Sequence, residues 1–80
     1  MILITKRGEM IQDPCCIGYY ADSEPLACDS IIISAIPKGC NQRVIVGRVH
    51  NDTAAVDLIH RYAMAVKRGS KEIISWSELI

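Results

Sequence analysis

Two consecutive segments decide how this chain folds. Ser30-Ile31-Ile32-Ile33-Ser34-Ala35-Ile36 leads through Pro37-Lys38-Gly39-Cys40-Asn41 into Gln42-Arg43-Val44-Ile45-Val46-Gly47-Arg48-Val49. β-branched residues dominate both runs, and a proline–glycine turn separates them, which predicts a β-hairpin. Period-two alternation puts Ile31, Ile33 and Ala35 on one face of the first strand and Ile32, Ser34 and Ile36 on the other. In the second strand the same rule sets Val44 and Val46 against Arg43, Ile45, Gly47 and Val49. Arg43 and Arg48 then point to opposite faces, provided no bulge intervenes. Both faces of the hairpin are apolar enough to place it centrally in a sheet, or to leave one face for a partner chain.

Immediately after it, His50-Asn51-Asp52 ends the strand and opens a helix over Thr53–Arg68. Asp52 is the expected N-cap, with Asn51 as its rival. Ala55, Val56, Ile59, Tyr62, Ala63 and Val66 recur at helical spacing and form an apolar stripe, widened by Leu58 and Ala65. Asp57, Arg61, Met64 and Arg68 lie opposite, with Asp57 and Arg61 spaced as an i,i+4 ion pair. Lys67 and Arg68 suit the negative helix end, and Gly69 suits the left-handed residue that stops it.

Toward the N-terminus, Ile2-Leu3-Ile4-Thr5 and Met10-Ile11-Gln12 read as a hairpin closed by Lys6-Arg7-Gly8-Glu9 and ended by Asp13-Pro14. Cys15 to Asp29 reads as irregular, with a short strand at Ile17 and Tyr19-Tyr20, a turn at Asp22-Ser23-Glu24-Pro25, and Leu26-Ala27-Cys28 packing inward from a loop. Glu72 to Trp76 reads as a last strand, pairing with an earlier one or with a second subunit, and Ser77–Ile80 as a frayed tail or a single turn. The expected fold class is therefore α+β. A mostly antiparallel sheet built from two hairpins carries one helix on one face, with a short final strand, in a single domain over residues 1–80.

Eighty residues give one core, and a chain of this size buries only about 60% of its unfolded surface. Hydrophobic residues make up 50% of the sequence while aromatic ones make up 5%, so the core is aliphatic and apolar surface is left over. This composition excludes a disordered tail and a collagen-like repeat. Nine basic and nine acidic residues cancel, which excludes a strongly basic nucleic-acid coat. The cancellation is uneven along the chain. Glu9 to Pro37 holds five acids and no base, whereas Lys38 to Lys71 holds seven bases against Asp52 and Asp57. No apolar run approaches the roughly 20 residues of a spanning helix, and Lys6-Arg7 follows the apolar Met1–Ile4 rather than preceding it, unlike a secretory signal. A cytoplasmic location with reduced thiols is expected.

The stretch Gln42 to Val56, continued through Ile59 and Tyr62 to Lys67-Arg68-Gly69-Ser70-Lys71-Glu72-Ile73, together with the Ile2-to-Ile11 hairpin, resembles small uncharacterised proteins of Firmicute bacteria and their phages and mobile elements. Those place short strands before one helix, then a glycine, a lysine and a short apolar strand. The likeness covers about two-thirds of the chain and implies the architecture. The group has no assigned activity, so it transfers no functional residue. This chain departs from it in lacking an acidic pair after the helix cap.

Candidate chemistry is sparse. Cys15, Cys16, Cys28 and Cys40 contain no C-x-x-C, and neither His50 nor His60 stands at zinc-ligand spacing from a cysteine pair. They read as small apolar fillers near sheet ends and loops, and neither a metal nor another cofactor is expected. His50 beside Asp52 at a helix start could serve as a base or a phosphate contact, or bond the local backbone. His60 reads as a solvated helix residue. No nucleophile elbow, phosphate loop or dinucleotide fingerprint occurs, so a non-enzyme is expected. Three readings remain. The first is a protein-interaction or accessory protein that forms a homodimer by acidic-to-basic contact. The second is a phosphate or nucleic-acid binder using Arg61, Lys67, Arg68 and Lys71. The third is a thiol or acid–base enzyme using Cys16 or His50.

Overall fold

A computed structural model describes residues 1–22, 30–69 and 73–80. The expected α+β class is what the chain adopts. The strands, however, form two sheets of three rather than one. In the first, β1 (Ile2–Ile4) lies between β2 (Met10–Gln12) and β6 (Ile73–Ser75). In the second, β4 (Ile31–Ile36) lies between β3 (Cys16–Ala21) and β5 (Val44–Val49). Helix α1 spans Asp52–Arg68, and α2 is a single turn at Trp76–Leu79.

The N-terminal hairpin closes at Gly8, whose φ of 88° favours glycine, with the Thr5 N–H donating to the Glu9 carbonyl at 2.8 Å. β6 pairs with β1 in parallel, Leu3 opposite Ile74, so the last strand stays within the chain. The segment after Asp13 is more regular than its composition suggests. β3 runs six residues and pairs along its whole length with β4, Cys16 opposite Ile36 and Ala21 opposite Ile31. The expected Asp22–Pro25 turn falls largely outside the described residues, and Leu26-Ala27-Cys28 falls entirely outside them.

β4 is the centre of the molecule, with Ile31 to Ala35 all buried. Its two faces split as alternation requires. Ile31, Ile33 and Ala35 join Leu3, Ile11, Val46, Ala55, Leu58, Tyr62, Ile74, Trp76 and Leu79 in one core, and Ile32 and Ser34 lie outside it. The β4–β5 ladder breaks register: Ile33 pairs with Gly47 but Ser34 with Ile45, leaving Val46 as an extra residue. This bulge turns Gly47 and Val49 to the same side as Val44 and Val46, which corrects the alternation read from sequence. The Val46 carbonyl accepts from the Lys6 N–H at 2.8 Å and ties the second sheet to the first.

α1 begins one residue earlier than expected, and its cap is Asn51. The Asn51 Oδ1 accepts from the Ala54 N–H at 2.7 Å, and Asp52 is the first helical residue. Gly69, at φ 62°, ends the helix and donates to the Val66 carbonyl. The buried stripe is Ala55, Leu58 and Tyr62, with Ile59 and Ala65 half-buried. Val56, Ala63 and Val66 are exposed, so the helix is rotated from the expected orientation. The cause is α2, whose Leu79 is buried and draws the Leu58–Ala65 flank inward.

Candidate interaction surfaces

Three surfaces bring chemistry-bearing residues together. The first is a groove of about 460 Å³ between α1 and α2, lined on α1 by His60, Arg61, Met64, Ala65 and Arg68 and closed by Ile74, Glu78 and Leu79. Arg61 and Arg68 are seven residues apart, so they share one helix flank, and they face α2 instead of lying opposite the packed side. Arg61 makes no ion pair with Asp57 among the described residues. Its Nη1 donates to the Leu79 carbonyl at 3.4 Å. Lys67 is exposed, a quarter-turn or more around the helix from the Arg61–Arg68 line, and Lys71 is outside the described residues. Of the expected basic patch, the described residues bring Arg61 and Arg68 together in this groove and leave Lys67 outside it.

The second surface is the face of the β3-β4-β5 sheet turned away from the core. Because of the bulge, Arg43 and Arg48 share it, which reverses their expected opposition. Arg43 Nη1 donates to Ser34 Oγ at 3.2 Å, and Arg48 pairs with the Asp22 carboxylate. Tyr20, Ile32 and Arg48 form one cross-strand row, in which Tyr20 is 43% exposed and Ile32 is buried. Gly47, an isolated glycine inside a strand pattern, was the sequence signal for this bulge.

The third surface joins the outer edge of β3 to one flank of α1. No described strand pairs with that edge. The Asp22 N–H donates to Ser30, so the even-numbered residues of β3 bond to β4 and the backbone groups of Ile17, Tyr19 and Ala21 point outward. β3 contains neither charge nor proline, although natural edges are usually guarded by one or the other. Val56, Ile59, Ala63 and Val66 run along the α1 flank opposite α2. Val49 of β5 lines a hollow with Leu58, Arg61 and Leu79 on the α2 side, so the opposite flank lies over the β3 side of the sheet. Tyr19, 42% exposed, lies on the helix-bearing face opposite Ile33.

The residues of the expected thiol site are not assembled. Cys16 lies opposite Ile36 and His50 follows Val49, which pairs with Ile31, so they sit at opposite ends of β4, about 16 Å apart along the strand. Cys15, Cys16 and Cys40 lie at the sheet end and turn beside Ile36, as expected, but as exposed free thiols rather than packed fillers. Cys28 is outside the described residues. His60 stands on the groove rim, and His50 is exposed without a hydrogen bond to Asp52. Among the described residues no three His, Cys, Asp or Glu side chains gather as a ligand set, and no helix is long and apolar enough to cross a membrane. Comparison with family models, curated proteins and solved structures finds no match to this chain.

Proposed function

We propose that this chain is a non-catalytic, cytoplasmic interaction protein that works as a homodimer, joined through the outer edge of β3 and the adjoining flank of α1. The observation that carries this reading is the unguarded edge. The edge is six residues without charge or proline, and Ile17, Tyr19 and Ala21 present outward N–H and C=O groups beside an apolar helix flank.

A second copy fits this surface by symmetry. Outward groups on Ile17, Tyr19 and Ala21 allow antiparallel self-pairing about a two-fold axis at Tyr19, which sets Tyr19 against Tyr19 of the partner subunit. The same axis runs the two α1 helices antiparallel. Asp52 at the N-terminal end of α1 then faces the end of the helix that carries the partner's Lys67.

Area supports it as well. A folded monomer of this mass exposes about 4,800 Å², whereas this chain exposes 5408 Å². Light scattering after size-exclusion chromatography at micromolar concentration tests the reading. A mass twice 8.9 kDa is expected, and a clean 8.9 kDa species overturns it.

A further inference from the structure

We propose that the sheet face turned away from the core is a binding platform for single-stranded nucleic acid, with Arg43 and Arg48 on the phosphates and Tyr20 stacking a base. The bulge at Val46 is the device that builds it. Without the extra residue Arg48 would point into the core side. With it, both guanidinium groups stand on one face of β5, about 13 Å apart along the strand. Tyr20 lies across β4 from Arg48 in the same row and is exposed, as a stacking ring must be.

The partners of the two arginines give the charge logic. Arg43 is held by a neutral hydroxyl, Ser34 Oγ, and has no ion pair among the described residues. Arg48 is held by the Asp22 carboxylate, an anion in the place a phosphate would take. Ile32 and Ser34 on this face are already buried, so the groups open to a ligand are the exposed Tyr20 and the two arginines. A duplex would need a groove-entering element, and none stands on this face among the described residues; a single strand can splay its bases onto it. The platform does not depend on the dimer, because β3 self-pairing leaves this face open.

Fluorescence anisotropy with labelled oligothymidylate and oligouridylate tests the proposal. Binding is expected at low salt, with log affinity falling against log salt by about 0.7 for each phosphate neutralised. Arg48→Gln and, independently, Arg43→Gln each reduce that slope by about 0.7. Tyr20→Ala weakens binding about tenfold and leaves the slope unchanged. Asp22→Asn tightens binding, since it removes the competing anion. The proposal is overturned by absence of binding at low salt, or by polyglutamate competing as well as the oligonucleotide. A loss in the double variant Arg61→Gln/Arg68→Gln that matches the loss in Arg48→Gln would likewise overturn it, by moving the contact to the α1–α2 groove.

Discussion

The ring of Trp76 lies flat against the α-carbon of Gly47. A Cβ at residue 47 would stand 2.5 Å from ring carbons Cη2 and Cζ3 and 2.8 Å from Cε3. The glycine is therefore needed for closeness rather than for backbone freedom, and it seats the start of α2 on the bulged strand. Gly47→Ala is expected to destabilise the chain by about 1–3 kcal/mol, because an indole ring in a packed core cannot swing aside. Urea denaturation followed by the fluorescence of this single tryptophan measures it. A change below 0.5 kcal/mol, about the size of an ordinary surface substitution, would contradict the contact.

Cap assignment makes the second prediction. Asn51 holds the Ala54 N–H, so Asn51→Ala should cost about 1 kcal/mol. Asp52 contributes only through the helix dipole, and Asp52→Ala should cost about 0.3–0.5 kcal/mol. Equal losses, or the reverse order, in thermal melts of the two variants would return the cap to Asp52.

The rotation of α1 separates two neighbouring apolar residues. Leu58 is 2% exposed and Val56 is 38% exposed. Leu58→Ala should destabilise the fold by about 2–5 kcal/mol through transfer loss and a cavity. Val56→Lys should leave the monomer within about 0.5 kcal/mol of its original stability, yet lower the apparent mass in light scattering, since it puts a charge on the proposed interface. Unchanged mass would argue that the flank stays in solvent.

Edge pairing is tested at the backbone. The Ala21 N–H points away from β4, so Ala21→Pro deletes no bond within the chain and one bond to a second copy. It should convert the dimer to a monomer that keeps its circular dichroism. The melting temperature of the unsubstituted protein should rise with concentration while that of Ala21→Pro should not. A concentration-independent melting temperature in both would remove the edge from the interface.

Alkaline pH probes Tyr62. Burial against the core raises its hydroxyl above the ordinary value of 10.0. The fold favours the neutral phenol. Its stabilising contribution is complete below pH 10 and is lost as pH rises through the folded value. Tyr62→Phe, which cannot ionise, should lose less stability between pH 9 and 11 than the unsubstituted chain does. A parallel decline in both would show that Tyr62 is not the group responsible.

Much of this molecule was legible in single residues. Gly8 and Gly69 marked the first turn and the helix end because each needs a positive φ that glycine takes freely. Ile31, Ile33 and Ala35 announced their common face because strand alternation is local geometry. The helix span was legible to within one residue for the same reason. β3 was only half visible: tyrosines and a glycine make a weak local signal, and its regularity comes from pairing with β4.

The candidate surfaces were less legible, and the reason is physical. Which residues are basic, and that they cluster in the second half, is a property of the sequence alone. So are the hairpins, the capped helix and the α+β class, since each rests on contacts between near neighbours. Which basic residues share a surface depends on long-range packing. The bulge at Val46 put Arg43 and Arg48 together, α2 turned Arg61 and Arg68 into a groove, and the split into two sheets left the edge of β3 without a described strand beside it. A one-residue register shift or a fraction of a helical turn reverses such pairings, and only the tertiary structure decides those.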